Sequence, residues 1–546
     1  MKKVLSIAVI AVLAGAGVFL AEAQQPPAGS PVAQHGQLRV VGNQIVGVHN
    51  NPVQLRGMSL YWSLTDGART FYNAATVQRL RSDWQADVVR AAMAVERNFA
   101  NQAVQQGFIL QPDANRNLVL AVVDEAIEQG IYVIIDWHSY AAELHQAQAV
   151  AFFQDMARRY GNTPNVIFEI YNEPNGIRQE GFTAQQNGGL AIPTNRNTPW
   201  STIRDYMQAV TNAIRAEGAN NIILIGTPNW CQDTHIATAN PVIGENLAYT
   251  AHFYAGQNDP VHRGRLRNRI LTAMDRGFAV FISEFGLTNA SGAGALDLVE
   301  TDRWFDFLDY HHIGWANWAL SSHNQTSAAL QSGSSGDNPS GWQLSPSGTH
   351  VRNRLRSPRS TTMPFRILRL RDSESDDPNV EHFVSASGST DDGANVHVFD
   401  HNANVTITAF PHFTNPPTWR FVRWEGDVQG LTGLDQTTIT VPMNANRTIT
   451  AIFERLTVST LPLSHSPVIR WSVARSGNHL VLSGPSAAEA TLYDMRGKRV
   501  SRFTYDGGGR AMNIGGRNIP AGHYMLVVRD IATNREVFRD RVTMVR

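Results

Sequence analysis

From Gln54 to Ala319 the chain repeats one pattern: a short apolar run, a polar break, then a stretch with apolar residues at helical spacing. The runs Gln54–Leu60, Asp87–Met93, Tyr132–Trp137, Val166–Tyr171, Asn221–Gly226, Leu247–Phe253, Ala279–Glu284 and Gly314–Ala319 each read as a strand. Between them, stretches such as Asn117–Gln129 and Ala147–Tyr160 have the periodicity of helices buried along one face. Ahead of the first run, Gln37–Val41 and Gln44–Val48 alternate around Gly42-Asn43 and predict a hairpin. Strands apolar on both faces and alternating with helices predict a parallel sheet covered on each side. Such a sheet is either doubly wound and open or closed into a (β/α)8 barrel. No Gly-rich phosphate-binding loop follows the first strand, so the barrel is the reading.

The pattern changes after the polar linker 356–364. Short alternating runs such as Val405–Ala409, Thr438–Val441 and Ile449–Phe453 predict an all-β module over 365–455. A second linker, 456–467, leads to another strand-rich module over 468–546. The fold class expected is therefore α/β, a (β/α)8 TIM barrel over 37–355 followed by two small all-β modules. The acidic cluster Asp372–Asp377 lacks the fixed oxygen-ligand spacing of a calcium loop and reads as a solvated turn.

Residues 1–23 read as a signal peptide, with Lys2 and Lys3 first, an apolar core from Val4 to Leu20, and Ala21-Glu22-Ala23 as the cleavage site. A Gln/Pro/Gly-rich leader, 24–36, follows. No later stretch is long and apolar enough to span a bilayer, so a secreted or surface location is expected. With 46 basic and 46 acidic residues the net charge is zero, which offers no electrostatic reason for a nucleic-acid partner. Cys231 is the one cysteine, so no internal disulfide forms, and its type and setting read as a small apolar filler.

Candidate chemistry sits where the apolar runs end, because a barrel gathers the carboxyl ends of its strands on one face. Those ends carry Tyr61 and Trp62, Arg90, His138, Asn172 and Glu173, Trp230, His252 and Tyr254, Glu284, and Trp318. Each alone is weak evidence; the joint pattern carries the reading. Glu173 and Glu284 lie 111 positions apart, a spacing that suits the fourth and seventh strands of one barrel. Two carboxyls at such positions suit glycosidic bond cleavage, one protonated to serve the leaving oxygen and one ionised to attack. Arg90 is a charge inside an apolar strand, and burying it requires a carboxylate partner. The histidines are scattered, with no short-spaced ligand pair, and His311-His312 reads as structural. Neither a metal nor a cofactor is required.

Seven blocks in order make the resemblance specific: Arg56–Ser59, Val89–Met93, Asp136–His138, Asn172–Asn175, His252–Ala255, Ser283–Gly286, and Trp318–Leu320 with Ser327–Leu330. From Gln37 to about Arg354 the chain resembles bacterial endoglucanases of glycoside hydrolase family 5. The resemblance implies a retaining barrel enzyme acting on a β-glucan polysaccharide, with Glu173 as acid/base and Glu284 as nucleophile. It also implies that Asn172 binds a sugar hydroxyl, that Arg90 and Tyr254 orient the nucleophile, and that His138, His252 and Trp318 line the sugar at the cleavage point. Tyr61-Trp62 replace the histidine and glycine usual in such enzymes, and both aromatics suit sugar stacking. The loop 177–199 after Glu173 is longer than the resemblance leads one to expect. Within the family, mannan or xyloglucan are alternative substrates; a non-catalytic carbohydrate-binding or adhesion protein is the alternative of another class. Residues Phe421–Asp427 with Met443–Phe453 resemble a bacterial surface β-repeat, in which Trp424 reads as core. The last module resembles the sorting domain of secreted Bacteroidetes and Fibrobacter-type proteins, through Leu492–Gly497 and Ile519–Tyr524. That implies a secretion or cell-surface partner.

Overall fold

The computed structural model describes residues 25–95, 106–174, 198–258, 261–373, 384–387, 396–410 and 419–455, with strand segments of 472–544. The signal peptide, the loop 177–199 apart from its last two residues, the linker 456–467, most of the acidic cluster, and positions 519–521 of the Ile519–Tyr524 motif lie outside the described residues.

The hairpin forms as β1 (Arg39–Val41) and β2 (Gln44–Val46), shorter than its sequence pattern. Eight strands then close a parallel barrel: β3 (Arg56–Leu60), β4 (Val88–Ala94), β5 (Tyr132–His138), β6 (Val166–Glu169), β7 (Ile223–Ile225), β8 (Leu247–Tyr254), β9 (Ala279–Gly286) and β10 (Trp315–Leu320). Each falls on one of the expected runs. The main differences are at β6 and β7, which end early because the chain turns sharply at Tyr171–Pro174 and at Gly226. The helix expected at Asn117 starts earlier, at Pro112, where proline suits a helix's first turn.

The barrel interior changes character along its axis. At the amino-terminal end Val88, Tyr132, Ile134, Ile167, Leu224, Ala248 and Phe281 pack with Leu38, Ile45 and Val53 of the hairpin region, which plugs the bottom. The intervening positions, such as Val89, Val133, Phe168 and Ile223, face the helices. Two residues further up the inward-facing rows, the apolar side chains give way to Arg90, Asp136 and Glu169, with His138 one step higher, all buried. Parallel register sets polar groups side by side: Ser59 pairs with Arg90, Asp136 with Glu169, and His252 with Glu284. Bulges interrupt the ladder before His252 and after Trp318, re-aiming side chains at the carboxyl rim. Gly57 is required by close packing, since a Cβ there would lie 1.8 Å from the Val88 carbonyl oxygen.

Behind the barrel, one four-stranded and one three-stranded sheet enclose a separate core that includes Trp424, 1% exposed, with its indole N–H donating to the Gln436 carbonyl. The module's first strand is continuous with the barrel's packing. Phe365 and Ile367 join the main core, and the Arg267 guanidinium lies 4.1 Å from the Trp304 ring centre and 4.4 Å from that of Phe365. Glu300 neutralises Arg267, and the Val398 amide donates to Asn268 Oδ1 at 2.7 Å. Among the described residues no helix is long and apolar enough to cross a membrane.

Candidate active site

Arg90 is the hub of the rim. It is fully buried, with Nε donating to Glu169 Oε2 at 2.7 Å, Nη1 to Glu284 Oε2 at 3.0 Å, and Nη2 to Asn172 Oδ1 at 2.6 Å and Asp136 Oδ2 at 2.9 Å. Burial opposes its charge, but Asp136, Glu169 and Glu284 outweigh that and raise its pKa well above the ordinary value. The guanidinium therefore stays charged and spends its planar fork on three carboxylates and one amide.

Glu284, on β9, uses both oxygens. Oε2 accepts from Arg90, and Oε1 accepts from the Tyr254 hydroxyl at 2.6 Å. Burial and the facing Glu284 raise the Tyr254 pKa well above the ordinary value, so the phenol keeps its proton and donates. Glu173 lies four residues beyond the end of β6 rather than on it. Its Oε1 meets His252 Nδ1 at 2.9 Å, while His252 Nε2 meets Ser283 Oγ at 2.9 Å. Burial is the main cause that raises Glu173 to about 7; Arg90 works against the shift and Glu169 reinforces it. Burial lowers His252 to about 4 and His138 to about 3, so both rings are neutral near pH 7. The two glutamates thus occupy different settings. Ligating atoms of Glu173, Glu284 and His252 all lie within 4.8 Å of one another.

His138 Nδ1 meets Asp136 Oδ2 at 2.7 Å, which leaves Nε2 directed to the site without a partner among the described residues. The His138 ring stacks on Trp318, centroids 5.2 Å apart at 6°. Tyr61 lies 5.1 Å from Trp318 and stacks on His323 at 4.2 Å; Trp62 meets His138 edge-on at 5.5 Å. These rings form a continuous aromatic wall beside the carboxyl pair. Trp230, half-buried after β7, touches the Glu173 segment through its backbone, its N–H reaching the Pro174 carbonyl at 3.3 Å.

Residues 46–324 match the model of the cellulase family, glycosyl hydrolase family 5, over just more than half of the chain. The chain belongs to glycosyl hydrolase family 5. Endoglucanase Z of Dickeya dadantii is 39% identical over 322 residues, covering 59% of this chain and 66% of that protein. The alignment thus spans just under two thirds of that relative's length. A solved structure from Cytophaga hutchinsonii is 39% identical with a TM-score of 0.51, covering 60% of this chain and 96% of that one. The catalytic domain of Thermobifida fusca endoglucanase Cel5A, solved with cellotetraose, is 30% identical with a TM-score of 0.50, covering 60% of this chain and all of that domain. Residues 383–457 match the divergent InlB B-repeat domain, in keeping with the surface β-repeat resemblance.

Within this family 5 hydrolase the structure gathers the sequence candidates on one rim, and it adds others. Asp136 and Glu169 complete the Arg90 hub, Ser283 anchors His252, and His323 extends the aromatic wall. The signal that picked out Arg90, a charge in an apolar run, also marks Asp136 and Glu169. Cys231 differs from the expectation of an apolar filler: its buried Sγ lies 3.0 Å from the Asn172 carbonyl and 3.0 Å from Thr250 Oγ1. Glu173, His252 and Glu284 form the one group among the described residues spaced to hold a metal ion. Both Glu284 oxygens, both His252 nitrogens and Glu173 Oε1 already have protein partners, and a cation would sit beside the Arg90 charge. The chemistry of the set favours carboxyl catalysis over metal binding.

Proposed function

We propose that the protein is a secreted endo-β-1,4-glucanase that hydrolyses cellulose or related β-glucans by retaining double displacement. The carrying observation is the pair Glu173 and Glu284, one oxygen of each lying within 4.8 Å of the other, which fits the close carboxyl pair of retaining enzymes. Glu284, held by Arg90 and Tyr254, attacks the anomeric carbon and forms a glycosyl ester. When His252 Nε2 accepts from the Ser283 hydroxyl, Nδ1–H donates to Glu173 Oε1 and the acid proton is carried on Oε2. Glu173 then takes a proton from water as that water cleaves the ester. The Asn172 amide, its oxygen fixed by Arg90, turns Nδ2 to a sugar hydroxyl. The cellotetraose bound by the Thermobifida fusca relative and the endoglucanase names of the relatives support the β-glucan class.

The activity should fall as pH rises through about 7, where Glu173 loses the proton it donates. A kcat/KM profile on a soluble cello-oligosaccharide reads this limb directly; activity undiminished to pH 9 contradicts the assignment. Reducing-sugar release from cellulose, lichenan, mannan, xylan and xyloglucan tests the substrate class. The greatest release should come from the β-1,4-linked glucans, and preference for mannan would transfer the proposal to a mannanase. Residues 1–23 serve as the export signal and 468–546 as the sorting or attachment module in this reading. The charged start, apolar core and small-residue cleavage site of 1–23 support the first, and the resemblance at Leu492–Gly497 supports the second.

A further inference from the structure

The turn that carries Asn172 and Glu173 leaves β6 early and has no ladder of its own. Its backbone is held from two sides. On one side its amides donate to the end of β5, Asn172 N–H to the Trp137 carbonyl at 3.2 Å and Glu173 N–H to the Ser139 carbonyl at 3.2 Å. On the other side its carbonyls accept from the segment after β7, the Asn172 carbonyl from Cys231 Sγ at 3.0 Å and the Pro174 carbonyl from the Trp230 amide at 3.3 Å.

That second segment has an unusual backbone. Asn229, Trp230 and Cys231 take φ values of 57°, 54° and 56°, three successive side-chain-bearing residues in the left-handed region. Such a run is disfavoured for L residues and persists only where its surroundings hold it. Here the holding contacts are the ones that reach the Glu173 turn. Gly226 permits the approach, since a Cβ there would lie 2.4 Å from the Tyr171 carbonyl and 3.0 Å from the Pro174 ring. The thiol is aimed by its neighbours: the Thr227 amide donates to Sγ at 3.4 Å, and the Thr250 hydroxyl, 3.0 Å from Sγ against 3.4 Å from the Ile225 carbonyl, donates to the sulfur. With those partners set, the single S–H points to Asn172.

We propose that Cys231 is a positioning residue for the proton donor, its thiol and the left-handed turn around it clamping the Asn172–Pro174 backbone so that Glu173 meets the leaving oxygen. The proposal rests on the reading of Glu173 as acid/base. It assigns a role in the reaction to a side chain that touches neither substrate nor carboxyl. Removing the clamp loosens the acid, so the loss falls on substrates that need a proton.

The test compares Cys231→Ala, Cys231→Ser and Glu173→Gln on two substrates. Cellotetraose has a poor leaving group; 2,4-dinitrophenyl β-cellobioside leaves as a phenolate without protonation. Pre-steady-state bursts isolate the first chemical step on the aryl substrate. Cys231→Ala should lower kcat/KM on cellotetraose by about ten- to a hundredfold while the aryl-glycoside burst rate stays within about twofold. Cys231→Ser, which keeps a donor at that position, should recover most of the loss. Equal losses on both substrates, or no loss on cellotetraose, would overturn the proposal. If Glu173→Gln itself slows cellotetraose hydrolysis and the aryl-glycoside burst alike, the acid assignment fails instead, and the two failures are thereby told apart. Should Cys231→Ala not fold, Thr250→Val, which removes the hydroxyl that aims the thiol, makes the same comparison.

Discussion

Glu284→Ala should remove activity on carboxymethyl-cellulose by at least roughly ten-thousandfold, and Glu173→Ala by about a hundred- to ten-thousandfold. The two losses differ in kind. Without Glu284 no ester forms, so even the dinitrophenyl cellobioside is inert until a small anion such as azide fills the space. The azide then attacks the face that Glu284 leaves and gives a glycosyl azide of inverted configuration. Without Glu173 the activated aryl substrate still forms the ester, and the intermediate then waits for a base. Both variants should stay folded. Glu173 is buried with a pKa of about 7, so replacing it removes an ionisation that the fold does not favour. Full activity in either variant, measured by reducing-sugar release, contradicts the roles of both glutamates.

Arg90→Ala should be the most damaging single change to the fold as well as to turnover. Three buried carboxylates, on Asp136, Glu169 and Glu284, share this one guanidinium. Removing it leaves their charges facing one another in a water-poor interior, a loss on the order of 3–5 kcal/mol for a single broken pair and more here. Arg90→Lys separates folding from catalysis. A lysine restores one charge but cannot reach Glu169, Glu284 and Asn172 together, because it lacks the planar fork. It should therefore fold, melt lower than the parent, and lose about a hundredfold or more in kcat/KM through the poorly held nucleophile. Thermal denaturation alongside cello-oligosaccharide kinetics reads both. Arg90→Lys with parental kinetics would contradict the hub.

The barrel was legible because its strands are buried on both faces. Runs such as Tyr132–Trp137 and Leu247–Phe253 are buried on both faces, and each turns polar on its inward row towards its end. Arg90 stands out as an isolated charge, yet Asp136 and Glu169 carry the same mark. Only the register, which sets Asp136 beside Glu169, shows that all three belong to one network. The placement of Glu173 was approximate for a local reason: β6 stops at Glu169, and the turn beyond it is stabilised by contacts 59 residues away in sequence, from Cys231. A left-handed run at Asn229–Cys231 has no sequence signature, since none of these residues is glycine. His323 carries no local signal either, because its stacking partner, Tyr61, lies on the opposite side of the barrel's closure.

The central claim is that Glu284 forms the covalent bond to sugar while Glu173 moves the proton. A 2-deoxy-2-fluoro cellobioside with a dinitrophenyl leaving group forms the ester quickly and releases it slowly, so the intermediate accumulates. Mass spectrometry of the intact protein should show one added fluorocellobiosyl group, and peptide mapping should place it on Glu284. An adduct on Glu173, or turnover that yields the α-anomer first with no adduct, would contradict the account.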